Sequence, residues 1–425
     1  MATVNLEAPT TMPGAEPEPR SDGAYVFHHP PKFMWQRDAE VPERRWGRYS
    51  VYVHVPFCRK ICTFCTFERK RLRRSSIPNF TARLWEELDT VQNLDDFSAA
   101  AVHSVYIGGG TGSLLPNADI VRLIGELRDR FGLAEAEVTL ESEPGTKTQA
   151  DLEEIRAGGV NRISIGIQAF QDDLLRRLNR SHTTEQALRA VRDAKAAGFE
   201  DVHIDLMYGL PGQSVEMWRE TLDQAVDLGV PHISAYQLIV FQDELLDRAI
   251  RLGESPAPAP REEIHRMRVM CHDRLAEAGL PPYSLTEFAR PGHHCDYVIT
   301  TWDGSDYLGL GPAAYSRNGR WLWENDVIHA AYDESVRQGR RPVGKAIEMT
   351  PRDQLARDLA MSLCMLRIDV APLEAQAGVT VEETFAAERD TLIAEGLLLV
   401  DGSRWTLTAD GVRYATEVMK RFATG

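Results

Sequence analysis

No stretch of this 425-residue chain stays apolar long enough to cross a bilayer, which sets aside a membrane-spanning role. Basic residues are outnumbered: 48 Lys and Arg stand against 63 Asp and Glu, for a net charge of −15. A phosphate backbone is bound by concentrated Lys and Arg, so no nucleic-acid partner is expected. The run 69–74 (RKRLRR) is the exception, and it reads first as a solvated face. Cysteine is scarce. Six residues, three of them scattered at 271, 295 and 364, make no disulfide framework. The first twenty residues, rich in Pro, Thr and Glu, have no apolar core of the signal-peptide kind. A reducing cytoplasm is the expected compartment.

What is present is a cluster of thiols. Cys58, Cys62 and Cys65 lie within eight residues, spaced C-x3-C-x2-C. Three thiolates on one short loop can each hold an iron of a cubane [4Fe–4S] cluster and leave the fourth iron open to a ligand. A zinc site completed by His54 and three plain buried thiols are the alternatives. Zinc fingers pair a C-x2-4-C unit with a second ligand pair further along, and none follows here.

Residues 1–46 read as a polar, proline-containing arm, with an aromatic piece at 28–35 near its end. From about 49, β-branched runs alternate with amphipathic stretches. Strands are expected over 49–55, 102–107, 137–141, 162–167, 201–207 and 233–240. Helices are expected between them, over 77–93, 119–130, 150–158, 184–197 and 215–228. Six strand–helix units in series imply parallel strands with crossover helices, hence an α/β fold with a partial (β/α)6 TIM-like barrel over 47–253. The proline-rich 253–261 reads as a stiff connector opening a segment of linker, helix and insert over 254–345. Residues 346–425 read as a winged-helix-like C-terminal domain with no basic recognition helix, suited to packing or lid duty.

The working face of such a barrel lies at the strand C-termini, where the cysteine loop falls directly after the first strand. The triplet Gly108, Gly109 and Gly110 follows the second strand, and serves equally as a tight turn or as close backbone approach to a ligand. Glu141, Gln168 and Asp205 sit at or near the ends of the next three, and Arg180 follows twelve residues after Gln168. Each alone suits a structural role. Together they would suit an amino-acid nucleoside, with carboxylates for amine or ribose hydroxyls and a guanidinium for a carboxylate.

These residues resemble a known family, the radical S-adenosylmethionine enzymes, in the branch of oxygen-independent coproporphyrinogen III oxidase. The motifs are 52–58 (YVHVPFC), 108–111 (GGGT), 141–145 (ESEPG), 164–170 (SIGIQAF), 178–180 (LNR), 205–211 (DLMYGLP) and 307–311 (YLGLG). The resemblance implies a [4Fe–4S] cluster on Cys58, Cys62 and Cys65 whose open iron chelates S-adenosylmethionine. It also implies that Tyr52, Phe64, Gly109, Gly110, Thr111, Glu141, Gln168, Arg180, Asp205, Ile239 and Tyr315 line two S-adenosylmethionine sites. No catalytic residue is named by it.

Three departures narrow the branch. The oxidases carry a fourth cysteine where Phe67 stands. The related heme chaperones carry a His-Asn-x-x-Tyr-Trp run where 297–302 is YVITTW, so only Trp302 survives. Gly112 replaces a usual proline. By elimination the resemblance implies a class C radical S-adenosylmethionine C-methyltransferase of natural-product biosynthesis. Such an enzyme uses two S-adenosylmethionine molecules to methylate an sp2 carbon of a heteroaromatic or modified-peptide substrate, such as a thiopeptide thiazole; a heme chaperone or coproporphyrinogen III dehydrogenase-like protein is the alternative. An electron donor of unidentified nature is required, and an acidic surface suits an acidic donor of the flavodoxin type poorly.

Overall fold

The computed structural model describes residues 29–37 and 39–423; the first 28 residues of the arm lie outside the described residues. Six parallel strands form the expected barrel segment in chain order: β1 (Arg48–Val55), β2 (Ala101–Gly109), β3 (Leu133–Ser142), β4 (Arg162–Gln168), β5 (Asp201–Tyr208) and β6 (His232–Gln237). In β1, Val51, Val53 and Val55 are buried and so are Ser50 and His54 on the alternate positions, as in a strand covered on both faces.

Helices α1 (Ile77–Leu94), α2 (Asn117–Phe131), α3 (Gln149–Ala157), α4 (Thr184–Ala196) and α5 (Val215–Asp227) make the crossovers, and α6 (Arg261–Glu277) follows the last strand. Their ends are written locally. Thr148 with Asp151 and Thr183 with Gln186 form capping boxes at α3 and α4. In α2, Ile120, Leu123, Ile124, Leu127 and Phe131 make the buried stripe. Each such side chain, fully buried, contributes roughly 1.5–3 kcal/mol.

The sheet extends well beyond the barrel, to twelve strands. β7 (Glu287–Ala289) pairs antiparallel with β6. On the other edge β8 (Asp306–Leu310) runs parallel to β1, and β9 (Tyr315–Asn318), β10 (Trp321–Asn325) and β11 (Val343–Glu348) continue antiparallel. Gln36–Arg37 closes that edge against β11, so the end of the arm is part of the sheet. The stretch read as linker, helix and insert therefore supplies β7 to β10 and the start of β11 to the sheet, alongside its helices. The sixth strand, expected to reach 240, stops at Gln237.

The C-terminal unit has its own core, with Phe385, Trp405 and Phe422 at its centre. It combines α7 (Pro351–Ser362), further helices and a small sheet in which β14 (Arg404–Leu407) lies between β12 (Arg367–Asp369) and β13 (Leu398–Asp401). Arg268 on α6 fastens this unit to the barrel, donating to Gln237 Oε1 at 2.6 Å and to the Arg413 carbonyl at 3.1 Å. Among the described residues no helix is long and apolar enough to cross a membrane.

Candidate functional site

All three loop cysteines open onto one cavity of about 380 Å³ at the strand C-termini. Cys58, Cys62 and Cys65 are partly exposed there, while Cys271, Cys295 and Cys364 are buried elsewhere. Burial, reinforced by the other two sulfurs, pushes the Cys58 thiol up to about 12, and burial raises Cys65 against the pull of Arg69. Bare, these groups hold their protons; a metal cluster takes the thiolates and displaces them. His54 does not complete a zinc site. Its Nε2 bonds the Glu68 carbonyl at 2.8 Å, so Nδ1 accepts from the Tyr52 hydroxyl at 3.0 Å, and both nitrogens are engaged. Three sulfurs lining one cavity, with no fourth cysteine or histidine in its lining among the described residues, fit an iron–sulfur cluster with an open position.

The glycine triplet is explained by what lies against it. Gly109 adopts φ +103°, and a Cβ there would stand 2.5 Å from His54 Nδ1. A Cβ on Gly110 would meet the Phe57 carbonyl at 2.6 Å. The loop thus presses directly on the cysteine segment. Gly109 N–H also donates to Glu141 Oε2 at 2.9 Å, and Tyr106 donates to Glu141 Oε1 at 2.9 Å. Burial first, then the nearby Asp205 charge, pushes Glu141 up to about 7.

Arg180 spans the floor. Its Nη2 donates to the Gly166 carbonyl at 2.7 Å and its Nη1 to Cys62 Sγ at 3.3 Å, while Nε is buried without a partner among the described residues. Gln168 takes φ +71° where β4 and β5 slip register, a backbone strain of the kind held at ligand sites. Asp205 accepts from Ser164 at 3.1 Å and lies 3.2 Å from His203 Nε2.

Of the eleven residues expected to bind cofactor, the cavity brings together Phe64, Gly109, Gly110, Thr111, Glu141, Gln168, Arg180 and Asp205. Three stand apart. Tyr52 is turned into an aromatic stack with Tyr297, 5.7 Å between centroids. Ile239 lies past the end of β6, off the cavity lining. Tyr315 packs edge-on against Trp35, in a small cluster with Leu322 and Met349. The sequence reading missed Tyr106, Ser164, Met207 and Tyr236, which also line the cavity. Their signal was the alternation along β2, β4, β5 and β6, which puts every second side chain inside the barrel.

The comparisons with known proteins bear on this geometry. The radical SAM superfamily matches residues 52–225. The heme chaperone HemW of Mycobacterium tuberculosis is 34% identical over 379 residues, which cover 88% of this chain and 94% of that protein. The chain belongs to the radical SAM superfamily, in the family of HemW. HemW of Escherichia coli is 31% identical over 88% of this chain and 97% of its own length. The solved structure of coproporphyrinogen III oxidase (HemN) from Escherichia coli superposes with a TM-score of 0.78 at 27% identity, covering 93% and 96% of the two chains. The radical SAM fold carries with it a [4Fe–4S] cluster and S-adenosylmethionine.

These matches overturn the expectation of a class C methyltransferase acting on a heteroaromatic or modified-peptide substrate. That expectation rested on a few motif departures, whereas the likeness to HemW runs the length of the fold. Two of the departures have local physical causes. Tyr297, where the family histidine would stand, is stacked on Tyr106 with centroids 4.8 Å apart inside the barrel. At Gly112 any Cβ would collide with the Ile107 carbonyl, so the turn excludes larger residues.

Proposed function

We propose that the chain holds a [4Fe–4S] cluster on Cys58, Cys62 and Cys65, binds one S-adenosylmethionine beside it, and handles heme or a related tetrapyrrole in the manner of a heme chaperone. The observation that carries this reading is the pairing of a three-thiol cavity with identity to HemW over 94% of that protein's length. Phe67, at the place of the oxidases' fourth cysteine, favours the chaperone over the porphyrinogen oxidase. The second S-adenosylmethionine expected from the family resemblance gains no support from the comparisons, so a single molecule is proposed.

When bound, the cluster supplies an open iron for the cofactor's amino and carboxylate groups and a store for one electron. The chain's own residues bind and orient. The Arg180 guanidinium, held by Gly166 and Cys62, presents positive charge to a carboxylate. The Glu141 carboxylate faces amine or ribose hydroxyls, and Phe64 and Met207 keep water from the apolar side. Titration with hemin tests the reading: a saturable shift of the Soret band is expected, and an unchanged spectrum of free hemin at saturating protein would refute it.

Two outcomes follow for the cofactor. Arg180→Ala is expected to weaken S-adenosylmethionine binding ten- to a hundredfold while cluster iron is retained, because a charge-assisted hydrogen bond contributes roughly 1.5–3 kcal/mol. Calorimetric titration checks it; unchanged affinity would remove Arg180 from the site. Glu141 titrates near 7 in the folded chain against 4.5 unfolded. The native state therefore keeps a proton that the unfolded chain has lost. Its contribution to stability is full below about pH 4.5 and disappears as pH rises through about 7. Cofactor affinity should move the other way, rising up to about tenfold between pH 6 and 8 as the carboxylate forms, and Glu141→Gln should flatten that profile.

A further inference from the structure

The basic run, read from sequence as a solvated face, is placed by the fold against the cysteine loop. Lys70 and Arg71 form a two-residue strand whose register partners are Phe57 and Cys58. Arg71 therefore stands opposite a loop cysteine. Lys70, Arg71, Arg73 and Arg74 are exposed, as are Arg59 and Lys60 inside the loop itself. None of these six has an ion-pair partner among the described residues; Arg59 donates only to the Gly145 carbonyl. At the edge of the same ground lies Phe67, 62% exposed and lining the cavity beside Lys60 and Arg69. The cysteine cavity thus opens beside Lys60, Phe67 and Arg69, and the exposed cations Lys70, Arg71 and Arg73 line the neighbouring groove along Phe57, on the far edge of the cysteine segment.

The net charge of −15 would repel an acidic partner at long range. At physiological salt, however, the Debye length is about 8 Å, so charges farther away are screened and the local patch decides the encounter. Small, weakly bound, charge-steered interfaces with an apolar centre are the form that electron-transfer encounters take. We propose that this basic face is the docking surface of an acidic one-electron donor protein. The proposal rests on the reading of the three thiols as a cluster site. One electron leaves the donor and reduces the cluster; no bond forms or breaks.

The test uses the full chain with its cluster reconstituted, and a triple variant, Lys70→Glu, Arg71→Glu and Arg73→Glu, whose residues lie outside the cavity lining. Reduced flavodoxin serves as the acidic donor, and photoreduced deazaflavin as a small uncharged reductant. Bleaching of cluster absorbance is followed by stopped flow, and the affinity of the cluster-free chain for flavodoxin by titration. With flavodoxin at physiological salt the variant should be reduced about tenfold more slowly and bind more weakly, the low end of the roughly 10- to 10³-fold that steering contributes to on-rates. With deazaflavin the two should match. Raising the salt should slow the wild type toward the variant. Equal flavodoxin rates in both proteins would overturn the docking surface. So would a variant that keeps its flavodoxin rate and loses hemin affinity, because the cations would then serve a tetrapyrrole's carboxylates. Failure of deazaflavin to reduce the wild type would instead strike the cluster assignment itself.

Discussion

Alanine at Cys58, Cys62 and Cys65 together is expected to abolish bound iron and sulfide and the broad visible absorbance of a cluster. These three sulfurs share one cavity, and among the described residues no histidine or fourth cysteine lines it. His54 is committed on both ring nitrogens. The scattered cysteines serve as the internal control. Cys295 Sγ lies 3.2 Å from Glu137 Oε1, Cys364 Sγ lies 3.5 Å from Met419 Sδ, and Cys271 is packed within α6. Single alanine substitutions there should leave the iron content near that of the wild type, measured by iron and sulfide assay after anaerobic reconstitution. Iron loss from those variants as large as from the triple one would refute the assignment. Folding of the cluster-free triple variant should persist, because none of the three cysteines belongs to the buried core of the barrel.

The largest expected effect on stability lies at a buried ion pair. Arg317 on β9 and Asp358 on α7 are both buried, and Arg317 Nη2 donates to Asp358 Oδ2 at 2.7 Å in a two-bonded fork. The pair joins β9 of the large sheet to α7 of the C-terminal unit. Asp358→Ala would leave a guanidinium in the interior with, among the described residues, the Gly319 carbonyl at 3.4 Å as its hydrogen-bond partner and the nearby Asp306 charge as partial compensation. The cost should be about 3–5 kcal/mol, the range for breaking a buried pair by removing one member. Replacing both members, Arg317→Met with Asp358→Leu, should cost far less, since no charge is then stranded. Urea denaturation followed by tryptophan fluorescence reads both. A loss below about 1 kcal/mol in Asp358→Ala would show that water reaches the guanidinium.

The pattern of strand-then-helix from 49 to 237 was legible because each unit writes its own ends in caps, turns and apolar period. The extension of the sheet was not. β8 pairs with β1 across more than 250 residues, and β9 and β10 are four and five residues long, too short for any periodicity to declare them. The same division runs through the site. Glu141, Gln168, Arg180 and Asp205 could be named because they lie in or beside strand-end motifs. Tyr236 and Ser164 were passed over, since alternation along a strand offers many side chains to one face and only the closing of strand upon strand decides which of them reach the cavity.

Charge shows the division again. Counting Lys, Arg, Asp and Glu describes a molecule that should repel acidic proteins; pairing of Lys70 and Arg71 with Phe57 and Cys58 puts cations where an electron would enter. Motif departures misled in the same way. The loss of the family histidine at Tyr297 and the glycine at 112 pointed toward methyl transfer, while each is accounted for by packing within its own neighbourhood.

The sequence by itself determined that Cys58, Cys62 and Cys65 share one loop and that the loop follows a strand in a β/α series. Eight residues of backbone cannot carry three thiols far apart, whatever the rest of the chain does. Only the tertiary structure decided which other groups surround those thiols, that His54 turns away from them, and that the basic run lies against them. Such neighbours are brought together by strand register, and register depends on the burial of every strand at once rather than on any stretch of sequence.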